Sequence, residues 1–552
     1  MCGISGILGS GWDRPQLEAM VAVQHHRGPD DSGIYVDESG FAGLGHNRLS
    51  IIDLTSAGHQ PMPSEDGALW IVFNGEIYNY RELHSELRDY PFRSRCDTEV
   101  ILAAYRRWGA GCVDKFIGMF AFAIWDVGRR ELFCARDRLG IKPFHYAWKE
   151  GCFLFASEIK AILAAGHEVK SNTKAWAAYL TRGHYDHGEE TFFDGIRALP
   201  PGHTLTLKGG ETSLRRYWDL PARAAAPLEL EDDEAAGRLA DLLDDAVRLR
   251  LRSDVPLGVN LSGGLDSASL MVSVDGLLQS QGEIQTFTAS FDDSRYDEKE
   301  FASEVSSHTR WNRHFQRMGA DDVERLAGEA LWHQEAPFGG IATLAYHNLH
   351  RLAKERGITV LLEGQGVDEM LAGYEYFRPY HYLDLLEQGR WLELRRELRA
   401  TGEDRKSGLS ALRRLRNKES LDVYQDGTSH LKAEAVVPEV RALAEGDDAY
   451  PRPFREHLSN ALYRDLRHTK LPRVLRMNDR LSMAFSRELR EPFLDHRLVE
   501  YAFRLPGGQK IRLGRSKFLL RRAMAGRLPE RVRLAGKRGV VTPQREWLRT
   551  SL

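Results

Sequence analysis

The hydrophobic pattern of this chain changes character around residues 221–237, and that change limits its fold more than any other feature. Before it, short β-type runs are separated by Gly, Asp and Asn: LWIVFNGEIYNY (69–80), MFAFAIWD (119–126), ELFCARD (131–137) and CFLFASEI (152–159). After it, strand-like runs alternate with longer helical patterns. VPLGVNL (255–261) is followed by SASLMVSVDGLLQ (267–279), and QTFTASF (285–291) by EKEFASEVSSHTR (298–310). Such alternation predicts βα units around a parallel sheet. The stretch between, PARAAAPLELEDDEAAG, has no strand period and is expected to be a linker. A chain of 552 residues exceeds one ordinary core, so the reading is a strand-rich domain over 1–220, a linker over 221–237 and an α/β domain over 238–552.

Composition excludes several classes of function. A net charge of -3 gives no general attraction to nucleic acid or to an acidic membrane surface. No run approaches the roughly 18 apolar residues that span a bilayer, and MCGISGILGSGWDR lacks the basic start and long apolar run of a signal peptide. The expected location is cytoplasmic. The basic segment from about 385 to 445 (RRELRATGEDRK, ALRRLRNK) reads as a solvated helical face, because it lacks the interleaved aromatics of an RNA-binding patch.

Cys96, Cys112, Cys134 and Cys152 form no CxxC pair and suit a core. Cys2 differs by position. Removal of Met1 would leave its α-amine, with an ordinary pKa near 8, a few bonds from its own thiol. A thiolate beside a base is the minimum for covalent acyl transfer. A second candidate is LSGGLDS (261–267), which follows an apolar run and opens a helical pattern. A strand, a Ser/Gly turn and a helix start make a concavity of N–H groups suited to an anion. Gly263 and Gly264 are expected to let the backbone approach phosphate. The lysine of the Walker pattern is missing, which argues against a GTPase or kinase.

Seven stretches arrive in the order found in one known family: MCGISGI, HRGPDDSG (26–33), HNRLSIIDL (46–54), GHQPM (58–62), FNGEIYNY (73–80), CDTEVIL (96–102) and ARDRLGIKPFHY (135–146). The chain resembles the class II, N-terminal-nucleophile glutamine amidotransferases, and specifically the glutamine-hydrolysing asparagine synthetases. The resemblance implies an αββα sandwich of antiparallel sheets (the Ntn-hydrolase fold) followed by a parallel-sheet, Rossmann-like PP-loop fold with extra helices. It implies that Cys2 attacks glutamine, that Asn74 and Gly75 form the oxyanion hole, and that Arg48 takes the α-carboxylate. Glu76 and Asp97 would take the α-ammonium, with Leu49, Ser50, Ile51 and Ile52 lining the pocket by backbone.

SGGLDS is similar to the family's pyrophosphate loop, which implies ATP contacts from Leu261, Ser262, Gly263, Gly264, Asp266, Ser267 and Ala289. The stretch LLEGQGVDEMLAGY (361–374) is similar to the family's SGEGSDE region, placing Glu363 and Gly364 on the nucleotide and Asp266 and Asp368 on Mg²⁺. Here the chain departs from the family. Gln365 stands where a glutamate is usual, and an amide cannot serve as a carboxylate base. Either that function has moved, with Glu363 a candidate, or Gln365 orients a different acid. LPRVLRMNDRLSMAFSRELREPFLDHRLVEYAF (471–503) also matches and is expected to build structure, while Lys537 aligns with a C-terminal lysine suited to phosphoryl charge.

The implied reaction takes ammonia from glutamine and adds it to an acid adenylylated by ATP, releasing AMP and pyrophosphate. Aspartate is the expected acceptor, with a sugar acid or biosynthetic intermediate as the alternative; a non-catalytic scaffold is disfavoured by the intact Cys2, Asn74, Gly75, Asp266 and Asp368. The family's usual state is a homodimer, and neither nucleic acid nor membrane is an expected partner.

Overall fold

A computed structural model describes residues 1–186, 188–278, 284–307, 311–401, 435–444, 450–537 and 541–552. The N-terminal half is built on two six-stranded antiparallel sheets. One runs, edge to edge, through Ile196–Ala198, His145–Lys149, Cys152–Ala156, Gly3–Leu8, Ala42–Arg48 and Asp31–Val36. The other runs through Glu211–Arg216, His203–Lys208, Glu131–Arg136, Gly118–Asp126, Leu69–Ile77 and Met62–Pro63. The continuous apolar runs mark strands covered on both faces. Between the sheets pack Ile4, Leu44, Ala121, Ala123, Phe144 and Phe155. The opposite face of one sheet is covered by the helix Arg14–Val23 through Leu17 and Met20, and that of the other by Asp97–Trp108 through Val100, Ile101 and Ala104. The layers are therefore helix, sheet, sheet, helix.

The C-terminal half holds a five-stranded parallel sheet in the order Asn312–Arg317, Gln285–Ser290, Leu257–Asn260, Val360–Leu362, Glu488–Arg490. Its first strand in sequence, Leu257–Asn260, is central, and the chain departs to one side and later returns on the other. Connections leaving a central strand in opposite directions open a crevice at its C-terminal end, where ligands of parallel sheets are usually held.

The expected linker is partly helical. Asp232–Arg250 forms one long helix whose first turn carries Asp232, Asp233 and Glu234, a placement the helix dipole favours. Ala235 and Ala236 are buried in a core that also takes in Tyr78, Met119, Leu139, Ile141 and Trp218 from the N-terminal half. The alanine-rich composition that reads as a linker is thus small-residue packing at the domain junction. Of the basic segment, the helix Trp391–Ala400 is described and 402–434 lies outside the described residues. All five cysteines are free and buried. Among the described residues, no helix is long and apolar enough to cross a membrane.

Candidate active sites

Cys2 enters the first sheet at the start of Gly3–Leu8, and neighbouring strands bring its partners. Its backbone N–H donates to Asn74 Oδ1 at 2.9 Å, and the Asn74 amide nitrogen is buried without a partner among the described residues. A buried, unpaired donor beside a thiol suits an oxyanion that forms only during reaction. Gly75 is in the left-handed range at φ 147, and a Cβ there would stand 2.0 Å from the Met119 carbonyl oxygen, so strand pairing requires glycine.

A small pocket opens over the thiol, lined by Arg48, Leu49, Ile51, Ile52, Gly75, Glu76 and Asp97. Ser50, expected among them, does not line it; its N–H is spent on Asp30 Oδ2 at 2.7 Å. The Arg48 guanidinium is tied to the carbonyls of Thr55 (2.8 Å), Ile52 and Asp53, which fixes its plane at the pocket wall. Gly58 permits this, since a Cβ there would collide with the guanidinium. Opposite charge lies on Asp97 and Glu76. Asp97 accepts from the Ile77 N–H at 2.8 Å, yet burial raises its carboxyl to about 7. Glu76 keeps one oxygen without a partner, and burial next to Glu488 pushes it up as well. A pocket with a guanidinium on one wall and two proton-hungry carboxylates on another matches the two charges of a free α-amino acid.

Met1 lies buried behind Cys2. Its ammonium pairs with Glu488 at 3.2 Å and its sulfur touches the Lys142 amine. Burial raises the Cys2 thiol above the ordinary value, against the pull of the amino-terminal charge, the Leu49 backbone and Arg48. A thiol in that state needs a local base to react.

The second cavity, about 380 Å³, occupies the sheet crevice. It brings together Leu261, Ser262, Asp266, Ser267, Ala289, Glu363, Gly364, Gln365, Asp368 and Lys537, residues separated by up to 276 positions (537 − 261). Gly263 and Gly264 do not line the cavity, and a Cβ on Gly263 would meet the Phe301 Cβ at 2.5 Å. Gly263 therefore serves the packing of the loop on Phe301. Gly364 is the glycine of close approach, its absent Cβ facing the Asp266–Ser267 peptide at 3.1 Å.

Asp266 and Asp368 converge on one cation, but it is a lysine that sequence reading missed. Lys517 Nζ stands 2.7 Å from Asp266 and 2.5 Å from Asp368, and Lys537 reaches Asp368 at 2.8 Å. The two ammoniums hold Asp368 low, while burial raises Asp266. Lys537 also lies 3.4 Å from the centre of the Tyr374 ring. Lys517 carries a left-handed φ of 55 and caps the start of the helix Phe518–Ala523. A cation at a helix N-terminus opposes the dipole, and a strained non-glycine residue marks a site held in place by its surroundings. The first of these signals was present in the sequence RSKFLL; the second needed the backbone.

Models of two families match this chain: one described as a glutamine amidotransferase domain over residues 1–218, and one described as asparagine synthase over residues 238–552. Asparagine synthetase [glutamine-hydrolyzing] 1 of Bacillus subtilis is 31% identical, with 100% of this chain and 88% of the relative covered. The chain belongs to the glutamine-hydrolysing asparagine synthetase family. It is an enzyme of the glutamine-hydrolysing carbon–nitrogen ligase class. A putative asparagine synthetase of Mycobacterium tuberculosis is 33% identical over 96% of the chain and 84% of the relative. Amidase chry2 of Gibberella zeae, whose name carries a different activity, is 31% identical over 96% of the chain and 85% of the relative. Family membership thus fixes the two-domain ligase and leaves its acceptor to the crevice.

Proposed function

We propose that this family member makes asparagine: Cys2 releases ammonia from glutamine, and the crevice joins it to aspartate adenylylated by ATP. The reading rests on one observation above all, the Cys2 pocket with Arg48 facing Asp97 and Glu76, in the same chain as a crevice lined by Asp266, Asp368 and Lys537.

At the first site, removal of Met1 turns the Cys2 amide nitrogen into an amine, held by Asn74. That amine takes the thiol proton, which the raised pKa otherwise retains. The thiolate attacks the glutamine amide, and the free Asn74 N–H and the Gly75 N–H receive the negative oxygen. Ammonia leaves, and water then releases glutamate. At the second site, Lys537 lines the crevice and Lys517 stands behind it between Asp266 and Asp368, so that both act on the end where charge would develop as pyrophosphate departs. The paired carboxylates Asp266 and Asp368 fit Mg²⁺, a hard ion that typically takes one or two carboxylates plus phosphate oxygens. When bound it neutralises the leaving group. Ammonia would be protonated in open water, so the chain must pass it between sites through dry protein.

The first test is turnover with ATP, glutamine and single carboxylic acids. Aspartate is expected to yield asparagine, AMP and pyrophosphate in equal amounts; ADP as product would overturn the reading. A second reading, amidation of another acid, is favoured by the crevice. Its described lining includes one cation, Lys537, which sits at the phosphate end. The far wall, with Gly339, Ala342, Thr343, Tyr346 and Met477, offers no positive partner for the α-carboxylate of aspartate. AMP formation with an uncharged-bodied acid and none with aspartate would select it.

Glutamine binding should also be pH-dependent. The Asp97 carboxyl, lifted to about 7 by burial, is protonated below that pH, whereas the ligand ammonium requires the ionised form. KM for glutamine is expected to rise toward about tenfold per pH unit below neutrality. Asp97→Asn should weaken binding and flatten that slope; a KM constant from about pH 5.5 to 7 would contradict the assignment.

A further inference from the structure

Two glutamates meet where the strands Val360–Leu362 and Glu488–Arg490 end. Leu362 pairs in register with Arg490, and the Glu363 N–H donates to the Arg490 carbonyl at 2.9 Å. Glu363 and Glu491 therefore follow one another across adjoining parallel strands, where side chains at matching positions leave on the same face. Both are almost wholly buried, at 2% and 3% exposure.

Their surroundings differ in a useful way. Glu363 lines the nucleotide crevice, with Asn260 Nδ2 donating to one carboxylate oxygen and Asn478 Nδ2 to the other at 3.1 Å. Gln365 donates to it as well, and the Tyr346 hydroxyl, in the crevice lining with Glu298, feels the charge of both glutamates. Glu491 does not line the crevice, and one of its oxygens has no hydrogen-bond partner among the described residues. The charges that face it are Lys142, Glu363, Arg250 and Asp137. Lys142 in turn touches Met1, so the file Met1, Lys142, Glu491, Glu363 runs from the amino terminus to the crevice. Two carboxylates this deeply buried on adjoining strands, with the Glu363 charge raising Glu491, do not both ionise freely. Burial lifts each to about 7, which places their exchange of a proton at neutral pH.

We propose that Glu363 is the base for amide formation in this enzyme, with Glu491 as the positioning residue that sets its proton affinity. The inference rests on the amidating reaction proposed above and assigns the proton that Gln365 cannot take. Ammonia attacks the acyl carbon and forms the C–N bond; the C–O bond to AMP breaks, and AMP leaves with the electron pair. The attacking nitrogen, positively charged after the bond forms, gives one proton to the Glu363 carboxylate. The amide and AMP depart, and the Glu363–Glu491 pair returns the proton to solvent through the open crevice.

The test compares Glu363→Gln and Glu491→Gln in the full chain, with ammonia as nitrogen source so that Cys2 is bypassed. Acid-dependent exchange of pyrophosphate into ATP reads adenylylation; amide yield reads the later step. Glu363→Gln is expected to lower amide formation about a hundredfold more than it lowers exchange, the scale of a general base. Glu491→Gln removes a like charge from beside the base, so the acid limb of the amide-formation pH profile should move down by about one unit. Glutaminase activity at the distant Cys2 reports that either variant is folded, and should Glu363→Gln fail that check, the Glu491→Gln profile decides alone. Equal losses of exchange and amide in Glu363→Gln, or an unmoved profile in Glu491→Gln, overturn the proposal. Absence of exchange in the unaltered enzyme with every acid would instead refute the amidating reaction itself.

Discussion

Cys2→Ala is expected to reduce glutamine-dependent product formation by about four orders of magnitude or more, the usual consequence of deleting a covalent nucleophile. Ammonia-dependent product formation should stay close to that of the unaltered enzyme. The physical reason is separation: the thiol stands in the pocket of Arg48 and Asp97, while the site proposed for adenylylation is the sheet crevice of the other domain. The measurement is paired rates with glutamine and with ammonium chloride. Equal loss of both would mean that Cys2 supports the fold. Intact-mass analysis of the same preparations checks the base. The active enzyme should lack Met1, because a retained Met1 leaves Cys2 nitrogen as an amide and its own ammonium on Glu488.

Arg27→Met should be the most damaging change away from either cavity. Arg27 is fully buried and bridges the domains, donating to Glu158 at 2.8 Å and to both oxygens of Asp479 at 2.8 and 3.1 Å. Its Nε also donates to the Cys2 carbonyl at 3.0 Å. Methionine fills similar volume but removes the short bonds to Asp479, leaving it Arg480 at 3.6 Å and the more distant charge of Lys142. Removing one partner of a buried pair typically costs about 3–5 kcal/mol. The chain has two domains, so the readout is a lowered first transition in chemical denaturation rather than one midpoint. Glutaminase activity should fall with it, because the Cys2 backbone loses its anchor.

The pairing also has a pH signature. Asp479 and Glu158 are held below the usual carboxylate range by Arg27 and by the cations around Glu158. Groups depressed on folding stabilise the protein fully above their unfolded pKa, near 4, and lose that contribution only as pH falls through the lower folded values. The junction should therefore survive mild acid in the unaltered protein. Arg27→Met should make unfolding sensitive to pH where the stranded Asp479 titrates.

Much of this was legible in the chain itself. Apolar runs such as MFAFAIWD announced strands, and the family resemblance implied the sandwich; burial on both faces is why these runs lack the polar alternation of a half-exposed strand. The βα alternation after residue 238 announced a parallel sheet because parallel strands need a crossover. Less legible were features set by distant approach. Gly263 looked like a phosphate glycine, and only the position of Phe301 shows that packing of the loop also requires a glycine there. Residues 232–237 looked like linker, and only the core around Tyr78 and Trp218 shows why small residues are needed there.

Sequence alone indicated the two-domain order through its hydrophobic period, and its resemblance to the family singled out Cys2 and the SGGLDS loop as candidates. Tertiary structure alone brought Lys517 between Asp266 and Asp368, closed Arg27 over Asp479, and set Glu363 beside Glu491. Those partners lie far apart along the chain. Their charge states depend on burial and on neighbours that only the folded sheets bring within reach.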